Sequence, residues 1–213
     1  MIYIFIVHYK KLVERKMHII EQLNTYNLLN YEFVEIDRDD LQNYDLSIFQ
    51  DNNKPVQSAI CLSHFYAYKE IANKFDMALI LEDDVILSSN FSEILQNYIK
   101  QLPSEFDMCF IGNGCNLHIE HHKLVANQNI YKKDNISTAW GGAGCTRCTD
   151  SYIVSKQCAI NICNYIENSS EKIHEAIDWW LNRCSRENNF NVYWAEPTIV
   201  KQGSQSGLFK TSY

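Results

Sequence analysis

The chain has 213 residues, 46% of them hydrophobic, 13% aromatic and 21% charged, with a formal net charge of −7. That is enough apolar material for one good core and too much for a disordered or collagen-like chain, and the length favours one domain over two, residues 1–213. A diffusely acidic surface lacks the basic footprint that a phosphate backbone needs, which excludes nucleic acid as a partner and leaves small phosphorylated ligands open.

The opening "MIYIFIVHYKK" has an apolar run too short to span a bilayer and no basic stretch before it. It predicts neither a transmembrane segment nor a targeting signal, and a cytoplasmic protein is expected. "IYIFIVHY" is apolar on both faces, as in a strand covered by helices on two sides. Leu12, Arg15, Ile19, Leu23 and Tyr26 then recur at helical spacing. "YEFVEID" (31–37) reads as a second strand ending in acids, and residues 38–56 as a loop closed by Pro55. "VQSAICLSHFYAYKEIANKF" predicts a strong helix, with Ile60, His64, Ala67 and Ile71 on one face.

"DMALILEDD" follows as another buried strand, then "NFSEILQNYIKQL" as a helix with Asn90 or Ser92 near its start and Pro103 after its end. "FDMCFIG" is a further strand. Residues 116–150 are the least regular, with "HIEHHKL" read as an edge strand or hairpin. "SYIVS" is a short strand; "KQCAINICNYIEN" and "EKIHEAIDWWLNRCSREN" predict helices, and "FNVYWAEP" a last strand. Strands alternating with helices imply an α/β fold with an open, mostly parallel central sheet flanked by helices. Ligands of such sheets bind beyond the carboxyl ends of the strands. His8 and Tyr9, Asp37, and the run Glu82 to Asp84 stand at those ends.

"ALILEDDVIL" (78–87) sets three carboxylates at the end of a buried strand, where like charges repel and desolvation is costly. Strand alternation would turn Glu82 and Asp84 to one side and Asp83 to the other. Two same-face carboxylates suit a hard divalent cation, Mn²⁺ or Mg²⁺, able to bridge phosphates. The bland reading is a solvated acidic cluster at a strand end. The cysteines at 61, 109, 115, 145, 148, 158, 163 and 184 are expected reduced and mostly buried. Cys145 and Cys148 form a lone CxxC, and Cys109 and Cys115 are poorly spaced to complete a zinc site with them.

"ILEDDV", with "ICLSHFYAYKEI" some twenty residues upstream, resembles glycosyltransferase family 25, the lipopolysaccharide and collagen-galactosyltransferase type. "IFIVHYKKLVERKM", "TDSYIVSKQCAINI", "AIDWWLNR" and "EPTIVKQGS" follow the family's further motifs in order over most of the chain. The resemblance implies a GT-A fold and an acidic motif acting as a DxD. It also implies Mn²⁺ or Mg²⁺ as cofactor, and inverting transfer of a hexose from a UDP-sugar to a hydroxyl of a glycan or glycoprotein acceptor. It makes Asp84 the direct metal ligand, with Glu82 beside it, and Asp83 a contact to water, ribose or sugar. His8, Tyr9, Arg15, Asp37, Ser63, His64, Gln202 and Lys210 become candidates for holding the donor.

In "TAWGGAGCTRCTDSY", Trp140, Gly141 and Gly142 combine a sugar-stacking face with backbone that permits close approach, and are candidates for the acceptor. Asp178 is the candidate catalytic base, with Trp179 beside it for the acceptor and Asp150 as rival base. No histidine follows His174, so a late histidine ligand is missing, and an acid such as Glu196 could replace it. His118, His121 and His122 are read as surface residues. The tail "KQGSQSGLFKTSY" is expected to act as a lid with Gly203 and Gly207 as hinges, or else to fray. Two other classes stay open: a metal-dependent phosphoester hydrolase, and a non-catalytic nucleotide-sugar or glycan-binding module of the same fold.

Overall fold

The computed structural model describes residues 2–133 and 144–210. In chain order it holds β1 (Tyr3–Val7), α1 (Val13–Thr25), β2 (Tyr31–Val34), α2 (Pro55–Lys74), β3 (Met77–Glu82), β4 (Val85–Leu87), α3 (Phe91–Gln101), β5 (Met108–Phe110) and β6 (Ile130–Lys133). Then come β7 (Ser151–Ser155), α4 (Lys156–Asn168), α5 (Ile177–Glu187), β8 (Val192–Ala195), β9 (Val200–Gln202) and the short α6 (Gly203–Ser206).

The main sheet has the order β2-β1-β3-β7-β5-β8-β6. Strands β2, β1, β3, β5 and β8 run one way, and β7 and β6 run against them. It is thus the expected mostly parallel sheet with two reversed strands. Both faces are covered, as the doubly apolar strands required. Ile4 and Ile6 of β1 pack with Leu79, Leu81, Ile19, Leu23, Phe91 and Leu95, under α1 and α3. Phe5 and Val7 pack with Ile80, Tyr152, Phe65 and Trp180, under α2 and α5. No helix among the described residues is long and apolar enough to cross a membrane.

Three local expectations are corrected. The helix read over "EKIHEAIDWWLNRCSREN" begins only at Ile177, because Ile173 pairs with Phe49 as an isolated bridge and exchanges backbone bonds with Ile48 and Gln50. That pairing holds the preceding residues extended, and Asp178 falls in the first turn of α5. "HIEHHKL" forms a 3₁₀ turn at His121–Lys123 rather than a strand or hairpin. Third, β9 pairs antiparallel with β4, with Val85 opposite Gln202 and Leu87 opposite Val200, and so the described part of the tail, up to residue 210, is tied into the fold at its start.

Gly203 is no hinge: a Cβ there would lie 2.5 Å from the Asp84 carbonyl oxygen and 2.8 Å from Phe209. Gly207, at φ +82°, ends α6 in the left-handed region that glycine adopts without cost. The segment after Glu82 is therefore locked from behind by the end of the described chain.

Candidate active site

At the carboxyl ends of β1 and β3, three hollows lie side by side and share Ile60 on α2. The first is lined by His8, Tyr9, Arg38 and Ser63, with the Arg38 guanidinium 4.4 Å from the Tyr9 ring centre. The middle one is lined by Tyr9, Arg15, Glu82, Asp83, Asp84, Gln202 and Ser204. The third, about 360 Å³, is bordered by Gln57, Cys115, Cys148, Thr149, Asp178 and Trp179. Glu82, Gln202 and Ser204 form a wall common to the second and third.

The acidic triplet sits where β3 ends, and Asp83 and Asp84 belong to the turn into β4 rather than to a strand. The three side chains consequently part company. Glu82 accepts a hydrogen bond from Thr149 Oγ1 at 3.0 Å. Asp83 is spent inside the protein: His8 Nδ1 donates to one of its oxygens at 2.7 Å and Arg15 Nη1 to the other at 3.0 Å. Asp84 accepts from the Ser204 backbone N–H at 3.0 Å, and its carbonyl takes the Gly203 N–H at 2.7 Å. Its other carboxylate oxygen, Oδ1, is buried without a partner. The Glu82 carboxyl is held well above its ordinary range, first by burial and then by the charges of Asp84 and Asp150.

A buried polar file lies behind Glu82. His64 Nε2 is 4.0 Å from Glu82 Oε1, its Nδ1 is 2.8 Å from the Tyr152 hydroxyl, and that hydroxyl is 2.6 Å from the Tyr68 hydroxyl. Burial lowers the His64 pKa to about 3, so the ring is neutral at physiological pH. His64 thus stands behind the wall, its Nε2 without a hydrogen-bond partner, and lines none of the three hollows.

On the third hollow's rim, Asp178 Oδ1 accepts the Trp179 backbone N–H at 3.0 Å. Burial raises its pKa against that hydrogen bond, and burial is the larger effect. Trp179 is 41% exposed, whereas Trp180 is core.

The sequence model for "Glycosyltransferase family 25 (LPS biosynthesis protein)" matches residues 1–179. The chain belongs to glycosyltransferase family 25. No curated protein matches it. Among solved structures, it is similar to Drosophila beta1,4-galactosyltransferase 7, in a mutant complexed with manganese, UDP-Gal and xylobiose. The TM-score is 0.51 at 10% identity, over 99% of this chain and 75% of that one. The catalytic domain of the same Drosophila enzyme with xylobiose gives a TM-score of 0.49 at 10% identity, covering 92% of this chain and 65% of that one. The chain thus spans somewhat less than two thirds of that domain. The likeness at TM-score 0.51 bears on fold alone, which is GT-A.

Within this family 25 chain, the fold brings together at one cleft His8, Tyr9, Arg15, Ser63, Glu82, Asp83, Asp84, Asp178, Trp179 and Gln202. Others stand apart. Asp37 is buried and accepts from the Lys10 backbone N–H at 3.3 Å, outside all three hollows. The Lys210 side chain is exposed; its carbonyl accepts from Arg15 Nη2 at 2.6 Å, so the tail's contribution here is backbone rather than ammonium. Asp150 is buried against Gly112, accepts from Ser151 Oγ at 2.8 Å and lines none of the hollows. Glu196 is taken by Arg147 and by His118 at 3.2 Å, away from Asp84. His121 and His122 are exposed, as read. Trp140, Gly141 and Gly142 lie outside the described residues.

Among the described residues, no group of three His, Cys, Asp or Glu is arranged to hold a metal. The donor set at the middle hollow is nevertheless all oxygen: the unpartnered Asp84 Oδ1, Glu82, and the buried, unpartnered Gln202 Oε1. That chemistry fits a hard divalent cation whose remaining positions go to phosphate and water. Sequence reasoning missed Thr149, Ser204 and Ile60, because each acts through a contact between segments distant along the chain. Ser204 carried the one usable signal, standing directly after Gly203 in the glycine-marked tail.

Proposed function

We propose that this protein transfers a hexose from a UDP-sugar to a hydroxyl of a glycan or glycoprotein acceptor, with a divalent cation and inversion at the anomeric carbon. One observation carries the reading: the middle hollow is walled by Glu82, Asp83 and Asp84, and its one lining cation among the described residues, Arg15, is committed to Asp83. A diphosphate could not approach such a wall unaided, so the site calls for a cation between them. The neighbour complexed with manganese and UDP-Gal supports the same reading.

Asp84, Glu82 and Gln202 would hold Mn²⁺ or Mg²⁺, which when bound neutralises charge on the departing diphosphate. Tyr9 and Arg38 offer the first hollow a flat, stacked surface suited to a nucleobase. Asp83 holds β1, through His8, to α1, through Arg15, and so fixes the junction between the first two hollows. Asp178 takes the proton from the acceptor hydroxyl as its oxygen attacks the anomeric carbon and the sugar–phosphate bond breaks. The raised pKa makes this carboxylate a stronger base than a solvated aspartate. Trp179 gives the acceptor ring a face to stack on.

The test is UDP release across a panel of UDP-sugars, with and without Mn²⁺, on the wild type, Asp84→Asn and Asp178→Asn. Release that depends on Mn²⁺ and on Asp84 is expected. If no donor yields UDP and Asp84→Asn leaves UDP binding unchanged, the reading fails. Inorganic phosphate as product would indicate the hydrolase class; metal-dependent UDP binding with no turnover of any donor would indicate a binding module.

A further inference from the structure

The lone CxxC of the sequence does not act as a unit: Cys145 is buried in the core, while Cys148 turns towards the third hollow. There its sulfur meets that of Cys115, 33 residues away in sequence, at 3.6 Å. Both residues hold left-handed backbone, at φ 52° for Cys115 and 64° for Cys148. Non-glycine residues adopt that conformation at a cost, and such strain tends to mark sites where a side chain must be aimed.

The two loops are pressed together at this point. A Cβ on Gly114 would lie 1.8 Å from the Arg147 carbonyl oxygen and 2.8 Å from Cys148 Cβ, so glycine is required for the approach. A disulfide needs its sulfurs about 2.05 Å apart, a closure of less than 2 Å from the 3.6 Å observed.

We propose that Cys115 and Cys148 form a redox-active dithiol that closes reversibly to a disulfide in the wall of the third hollow. This goes beyond the transferase reading and does not depend on it. Cys115 is exposed and meets the oxidant first; the Cys148 thiol is shielded and pushed up by burial and by its neighbour Cys115. With a small-molecule disulfide as oxidant, the Cys115 thiolate attacks one of its sulfurs, forming a mixed disulfide and releasing one thiolate. Cys148, on losing its proton, then attacks the Cys115 sulfur and releases the second. Two S–H bonds are lost, one S–S bond forms, and two electrons leave on the oxidant as a pair of thiols.

The closure has a local consequence. Gln205 of α6 holds Cys115 twice, accepting its backbone N–H at 3.0 Å and donating to its sulfur at 3.6 Å. Oxidation draws that sulfur towards Cys148 and weakens the second bond. The same short helix carries Ser204, the donor to Asp84.

The test equilibrates the full chain in glutathione buffers from fully reduced to fully oxidised, alkylates the remaining thiols and maps the peptides by mass. A linked Cys115–Cys148 pair, lacking two hydrogens, is expected in oxidising buffers and reversed by dithiothreitol. Cys115→Ser and Cys148→Ser should each abolish it, whereas Cys163→Ser, at a half-buried thiol on α4, should not. The oxidised wild type should melt roughly 5–10 °C above the reduced form, a shift absent in Cys115→Ser. Independent alkylation of both thiols in the most oxidising buffer, linkage of Cys115 to another cysteine, or closure without a rise in melting temperature would each overturn the proposal.

Discussion

Asp83 and Asp84 are adjacent and chemically identical, yet the structure gives them opposite duties, and replacing each by asparagine separates the two. Asp83 is buried, with both oxygens bonded to buried partners, His8 and Arg15. In Asp83→Asn one of those donors faces an amide N–H₂, and the Arg15 guanidinium, only 8% exposed, loses its counter-charge. Asp84 Oδ2, at 3.9 Å from Arg15 Nη1, recovers only part of it. Removing one partner of a buried ion pair costs about 3–5 kcal/mol, and the retained acceptor places this case near the lower end, roughly 3 kcal/mol. For a chain of this length that lowers the melting temperature by roughly 6–12 °C.

Asp84→Asn keeps an oxygen for the Ser204 N–H and leaves no donor stranded, because Oδ1 had no partner to lose. It also relieves repulsion towards Glu82. Its stability should stay within about 1 kcal/mol of the wild type, while its Mn²⁺-dependent UDP release is lost. Urea unfolding followed by circular dichroism, on the two variants side by side without added metal, measures the difference. Equal destabilisation by both, or an unaffected Asp83→Asn, would refute the division of labour.

Three further outcomes are expected. Burial and the charge of Asp84 raise the Asp150 pKa to about 7 in the folded protein, against an unfolded value of 3.8. The folded state then binds more protons between those values, and stability without added metal should fall as pH rises from about 4 to 7; Asp150→Asn should flatten that slope in melts from pH 5 to 8. Gly203→Ala would drive a Cβ into the Asp84 carbonyl and Phe209, and should cost about 1–3 kcal/mol in urea titrations while weakening the metal dependence of UDP release. Trp179→Ala should raise KM for the acceptor with little change in KM for the donor, since the ring borders only the third hollow; equal changes in both would remove Trp179 from the acceptor surface.

The fold was legible because its signal is local. The doubly apolar "IYIFIV" and "ALIL" demanded cover on two faces, and the alternation with helices fixed the sheet type. The carboxyl-end rule places His8, Tyr9 and the acidic run together from the sequence alone. Roles within the site were less legible, because partners distant in sequence set them. Strand alternation assigned sides to Glu82, Asp83 and Asp84, but the strand stops at Glu82. What separates the three carboxylates is instead Thr149, the pair His8 and Arg15, and Ser204, drawn from three other segments. Asp37 looked equivalent to the other strand-end acids until the Lys10 amide claimed it.

The tail shows the same limit and explains a feature the acidic run left open, namely how Asp84 is kept facing the cleft. Placed one residue before β4, its main chain could turn either way. β9 pairs with β4, Gly203 closes on the Asp84 carbonyl, and Ser204 takes one carboxylate oxygen, which together leave Oδ1 buried without a hydrogen-bond partner. Arg15 then bonds the Lys210 carbonyl and lies 5.4 Å from the centre of the Phe209 ring, so the guanidinium that neutralises Asp83 also holds the segment that orients Asp84. The repulsion inside the triplet is thus answered unequally: one acid is neutralised by the protein, one is anchored by backbone, and the oxygen left over is the one the proposed cation would take.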